Sequence, residues 1–270
     1  MNMILMLGIV TFLYFFSLTL MCFYREKMNP KFWNVIFVVT DILFFFCWNL
    51  AGYERGWMKD RFMTLDNISP MMCTMIGLLF FMSPKVAQHC KCAVAFLSFG
   101  MFCAMLISPE RAYLFSFDEQ ADFLYASEAL CHMIMALFGA YLILSKQVKL
   151  NSKDFFKSAV FVYSIVGFGV LLNFIFKKDF FGMTPYGDYN IYGVRLFGSF
   201  WATLLGYLVG IFLVLLFGLQ THWVLAWLAL GKHGKKTEIQ SSIEQTETEL
   251  QLEVALTSQE AVESNEKKTE

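Results

Sequence analysis

Seven stretches of mostly apolar residues, each near the length of a bilayer-spanning helix, leave this chain few ways to fold. A helix needs about 20 such residues to cross the hydrocarbon core, and lipid offers its backbone no hydrogen bonds. The stretches are Met3–Tyr24, Phe32–Tyr53, Asn67–Ser83, Cys92–Ser108, Asp122–Ser145, Lys157–Phe176 and Leu196–Leu219. The expected architecture is all-α, a polytopic membrane bundle of about seven transmembrane helices. The third and fourth stretches are short. Pro84 and Pro109 follow their ends, where a proline stops a helix cheaply. The seventh runs on through Trp223 and Trp227 towards Gly231, either as a longer tilted helix or as an interfacial piece. Met1–Tyr24 lacks a basic leader and a small-residue cleavage site, so it reads as a retained first span.

Charged residues make up only 16% of the chain, against about 25% in soluble domains. The pattern changes at Lys232. Residues 232–270 hold nine Glu and no aromatic residue, too little apolar content to fold alone. The expected organisation is a bundle over 1–231 and a polar, acidic, disordered tail over 232–270. Of the 21 Lys and Arg, 14 lie in the tail and in the loops after the first, third and fifth spans. The positive-inside rule then puts the C-terminus in the cytoplasm and the N-terminus outside. No basic patch suits nucleic acid, and no glycine loop suits a nucleotide. Membrane lipids are the expected partners, with the tail a candidate protein-binding segment. Asn67-Ile68-Ser69 matches a glycosylation sequon but stands at a span start before Pro70. Lys177–Phe197 reads equally as a structured outer cap and as an interfacial aromatic belt.

The central stretch is Asp122–Ser145. His132 is the only one of four histidines deep inside an apolar segment. Glu128 lies one helical turn before it, on the same face. Asp41 falls about 14 Å along the second span at the standard helical rise, near the midplane. Ionisable groups at that depth are costly and mark functional sites. Counting residues puts Asp41, Cys73, His132 and Asn173 all between the midplane and the outer third of the membrane. Such a set suits acyl chemistry. Cys73 is the candidate nucleophile, His132 its base, Asp41 or Glu128 the group that orients the imidazole, and Asn173 a donor to an oxyanion. Thr40 is a weaker candidate nucleophile. Two other readings stand beside this one: Asp41 with His132 or with Asn173 as a structural buried pair that only fixes packing, and Glu128 at the outer aqueous boundary. No cofactor is implied. His89-Cys90-Lys91-Cys92 offers three donors in an expected cytoplasmic loop, where tetrahedral zinc takes four at wider spacing. No metal site is expected there, and its cysteines are candidate palmitoylation sites.

Short motifs over residues 65–180 resemble the YwaF-like integral membrane family. Ser69-Pro70-Met71-Met72-Cys73 falls at that family's Pro-x-His-x-Cys start of a span. Ile107-Ser108-Pro109-Glu110 falls at its Leu-Thr-Pro-Asp turn. Leu130-Cys131-His132 falls at its intramembrane Ser-His, and Asn173-Phe174 at its Asn-Tyr pair. The family's eukaryotic branch includes a phospholipid-remodelling acyltransferase that uses a cysteine and a histidine. Distant relatives, the androgen-induced hydrolases, cleave fatty-acid esters with a threonine and a histidine. The resemblance implies Cys73 and His132 as nucleophile and base. Met71 stands where the family has its first histidine, and the proline is one residue nearer the cysteine. Thr184-Pro185-Tyr186-Gly187 replaces a Pro-Trp-Pro-rich stretch. The function expected is a lipid-directed acyltransferase or ester hydrolase. The alternatives are a transporter or channel-like protein with Asp41 and His132 on an ion path, and a non-enzymatic scaffold or receptor.

Overall fold

The computed structural model describes residues 2–54, 68–107, 122–177, 204–206 and 208–218. Among these the chain is helical and has no strand. In order the helices are α1 (Met3–Tyr24), α2 (Pro30–Glu54), α3 (Ile68–Gly77), α4 (Pro84–Ile107), α5 (Phe123–Leu144) and α6 (Ser152–Phe176). A shorter apolar helix, α7, covers Leu204–Gly218. Five of them, α1, α2, α4, α5 and α6, are long and apolar enough to cross a membrane. The outer faces carry large apolar side chains such as Phe12, Phe46 and Phe156, which are 67%, 64% and 65% exposed. A water-soluble fold would hide such rows. Among the described residues the protein is all-helical, with the helices of a multi-pass membrane protein. The 232–270 tail, the 177–197 cap beyond Lys177, Asn67 of the sequon and Pro109-Glu110 lie outside the described residues.

Helix α5 is the axis of the bundle. Its apolar window is 78% buried, against 33% for α1, α2 and α6. It packs on α4, α2 and α1, with a smaller contact to α3. It carries Ser127, Glu128 and His132, all buried, polar groups that lipid would leave unsatisfied. Asp122 caps its N-terminus, accepting from the backbone N–H groups of Leu124 at 3.0 Å and Tyr125 at 3.2 Å. This satisfies two of the four donors that a helix start leaves open. Close approach to α4 is set by Gly139. A Cβ there would lie 2.6 Å from Ser98 Oγ and 2.8 Å from the Val94 carbonyl oxygen.

Two segments depart from expectation. The third apolar stretch does not form one helix across Asn67–Ser83. It is helical only over Ile68–Gly77, and a 3-10 turn follows at Leu79–Phe81. At ten residues α3 is about 15 Å long, half a hydrocarbon core. Pro84 does not terminate that stretch. It opens α4, where a proline at the first helical position forfeits no intrahelical bond, and the Ser83 carbonyl accepts from the Ala87 N–H at 2.9 Å. Helix α4 therefore begins eight residues before the expected Cys92, and His89-Cys90-Lys91-Cys92 is helix, not loop. Cys90 and Cys92 are both 0% exposed, closed to an acylating enzyme. Two residues apart on a helix they point about 200° apart, so they do not share a metal ion.

One end of the bundle is tied by Gln147, in the turn after α5. Its Oε1 accepts from Asn34 Nδ2 of α2 and from Lys91 Nζ of α4, each at 2.9 Å. Its Nε2 donates to Asn34 Oδ1 at 3.1 Å and Ser145 Oγ at 2.9 Å. Its carbonyl accepts from Gln88 Nε2 at 3.0 Å. Lys146, just before it, makes the turn at φ 59°, in the left-handed region where glycine is usual.

Candidate functional site

Helix α2 presents a polar stripe to α5. Asn34, Asp41 and Trp48 recur every seven residues, a spacing that keeps them on one helix face. They are 9%, 1% and 6% exposed. Asn34 meets Gln147 at one end. Trp48 meets the His132 ring at the other, with centroids 6.1 Å apart. Asp41 lies between them. Phe37 fills the space between Asn34 and Asp41, with its ring 5.2 Å from both Phe138 and Tyr141.

Helix α2 packs on α3, and Asp41 lies within electrostatic reach of Cys73 there. Neither carboxylate oxygen has a hydrogen-bond partner of normal geometry among the described residues. A buried, unpartnered carboxylate is among the most expensive features a fold can hold. Such features persist where they have a task. The Asp41–His132 hydrogen bond expected from the sequence is not formed. The orienting partner of His132 is the Glu128 backbone carbonyl, 2.8 Å from Nδ1. A carbonyl only accepts, so Nδ1 carries the proton and Nε2 the lone pair.

On α5, Met135 Sδ lies 3.7 Å from Cys73 Sγ, and Cys131 is within electrostatic reach of Cys73. Cys131 and His132 are adjacent in sequence, so the two expected centres, thiol and imidazole, approach the same part of α5 from different sides. His132 is 0% exposed. Asn173 is buried at 2% on α6, a helix that packs chiefly on α4. Glu128, expected at an aqueous boundary, is 6% exposed and belongs to the interior. Thr40 is turned from the stripe and donates to the Ile36 carbonyl at 2.8 Å.

The structure thus joins Asp41 to Cys73 and joins His132 to Trp48. Trp48, Cys131 and Met135 were not singled out as site residues from the sequence. The signal for Trp48 is the seven-residue recurrence with Asn34 and Asp41. The signal for Cys131 and Met135 is their spacing of four on α5. Both patterns look like ordinary apolar packing until the facing helix is known. Among the described residues no group of three or more His, Cys, Asp or Glu could hold a metal ion. In comparisons with known proteins, no family model, no curated protein and no solved structure matches the chain.

Proposed function

We propose that this protein is a lipid-directed acyltransferase or ester hydrolase, related to the YwaF-like family, with its nucleophile inside the membrane. The observation that carries the reading is the buried Asp41 carboxyl, neither oxygen of which has a geometric hydrogen bond among the described residues, within electrostatic reach of the Cys73 thiol. A thiol is a weak nucleophile until a base takes its proton. Asp41 is that base, in place of the orienting role expected from sequence. The Cys73 thiolate attacks the carbonyl carbon of a lipid ester. The alkoxide leaves with the proton that Asp41 holds, and a thioester remains on Cys73. Water or a second alcohol then attacks the thioester, and its proton returns to the cysteine sulfur. His132 serves the incoming alcohol through Nε2, in the tautomer set by the Glu128 carbonyl. Asn173 is assigned the oxyanion donor. Lipid enters sideways between helices. The Lys and Arg bias puts the C-terminus in the cytoplasm.

An ion path through Asp41 would need polar groups continuing along the stripe. The Phe37, Phe138 and Tyr141 rings between Asn34 and Asp41 interrupt such a path.

The test uses full-length protein in nanodiscs with an alkyne-tagged phospholipid. Wild type should form an adduct that hydroxylamine cleaves. Cys73→Ser should lose the hydroxylamine-labile adduct, and His132→Ala should abolish turnover. Equal labelling of Cys73→Ser and wild type would end the proposal.

A further inference from the structure

Nine of the ten Lys and Arg side chains among the described residues lie at one end of the bundle, within residues 25–31, 85–91 and 146–157. The tenth, Lys177, follows α6 at the other end. The C-termini of α1 and α5 and the N-termini of α2, α4 and α6 meet at the basic end, where Gln147 ties α2 and α4 to the end of α5. Two carboxylates share that end with the nine cations. Glu26 lies 4.0 Å from Arg25, and Asp154 lies 2.6 Å from Lys157. The other seven cations make no ion pair among the described residues.

Lys91 is the most demanding of the seven. It is half-buried on α4, and its Nζ donates at 2.9 Å to Gln147 Oε1, a neutral amide oxygen. An ammonium has three donors, and the other two have no acceptor among the described residues. A charge drawn out of water needs a counter-charge, and a single amide dipole is a poor substitute. Two more cations stand around the same amide. Lys146 precedes Gln147 in the chain, and Lys31 lies one turn before Asn34, whose Nδ2 donates to the same Oε1 at 2.9 Å. Both lysines are exposed.

Phe23, Phe32, Phe81 and Phe156 flank these basic segments, and all four rings are exposed. Exposed rings at the ends of apolar helices mark the membrane interface, and lysines beside them reach into the headgroup layer. The anions of that layer are phospholipid headgroups. Clustered lysines at the end of a membrane bundle suit a headgroup with several charges better than a single phosphodiester. We infer that Lys31, Lys91 and Lys146 form, around Gln147, a binding site for the headgroup of a polyanionic phospholipid. The inference is independent of the acyl-transfer reading and takes no residue from that site.

The experiment titrates full-length protein in detergent with dioctanoyl phosphatidylinositol bisphosphate and counts bound lipid by native mass spectrometry. Wild type should bind one such lipid per chain at least ten-fold more tightly than dioctanoyl phosphatidylcholine. A lysine near an anionic headgroup changes affinity about five-fold, so Lys91→Gln should weaken binding by about that factor. The double variant Lys31→Gln, Lys146→Gln should weaken it at least ten-fold. Those two side chains hold no other part of the fold, so the double variant stays informative if Lys91→Gln fails to fold. Lys177→Gln, at the opposite end, should bind as wild type does. Soluble inositol trisphosphate should bind at least ten-fold more weakly than the lipid, because it lacks the acyl chains that lie along the exposed rings. Equal binding of phosphatidylcholine, unchanged binding by the double variant, or a loss with Lys177→Gln would each overturn the inference. Inositol trisphosphate binding as tightly as the lipid would overturn it too, in favour of a soluble phosphate ligand.

Discussion

Asp41 of α2 and Cys73 of α3, each 1% exposed, lie within electrostatic reach of one another where the two helices pack. Neither residue type is expensive to bury when hydrogen-bonded, yet both Asp41 oxygens lack a partner among the described residues. The pair therefore lowers the stability of the fold. Replacing Asp41 should expose the trade between stability and activity.

Asp41→Leu is expected to stabilise the bundle by about 1–3 kcal/mol, the usual cost of an unsatisfied buried polar group. The same variant should lose thioester formation on Cys73. Thermal melting in detergent and labelling with the tagged lipid read the two effects separately. A variant that melts lower than wild type would show that Asp41 has a stabilising partner.

Gln147 holds α2, α4 and the end of α5 through one side chain and its carbonyl. Gln147→Ala strands Asn34 and Lys91 together, and should cost roughly 2–3 kcal/mol. Lys146→Gly next to it should act in the opposite direction. It removes a left-handed non-glycine residue at φ 59°, a conformation worth about 1–2 kcal/mol. Unfolding by SDS titration in mixed micelles compares both with wild type.

Two glycines on different helices make a matched pair. A Cβ at Gly139 meets Ser98 Oγ at 2.6 Å and the Val94 carbonyl at 2.8 Å, while one at Gly8 meets nothing within 4 Å. Gly139→Ala should destabilise by about 1–3 kcal/mol, because backbone on the facing helix cannot yield easily. Gly8→Ala should change stability by less than about 0.5 kcal/mol or improve it slightly. Equal melting temperatures for the two variants would contradict the close packing of α4 on α5.

Cys90 and Cys92 are fully buried in α4. In the folded protein in detergent, both should resist a bulky maleimide and react once the protein is unfolded. Mass spectrometry of the labelled peptide provides the readout. Rapid labelling of either thiol in the native protein would return this segment to an exposed loop.

The sequence was most informative where the physics is local. Membrane class follows from summed hydropathy, and the existence of α1, α2, α5 and α6 follows from apolar length. Asp122–Ser145 was marked by His132 and Glu128 within one apolar segment. Asp41 and His132 stood out because ionisable groups are rare in such segments. Pro84 was misread because proline is tolerated at a helix start and is also a helix stop, and only the neighbouring chain decides which.

What the sequence could not supply was the rotation of one helix against another. Burial of Asp41, Cys73, Cys131 and Met135 could be expected from their segments. Their meeting depends on α2 and α3 docking on α5 at one register, and Gln147 ties α2 to the end of α5. Hydropathy is a sum over one helix, so it is blind to the azimuth at which two helices touch. Side-chain packing between helices alone sets that angle, and it placed Asp41 beside a thiol and His132 beside Trp48.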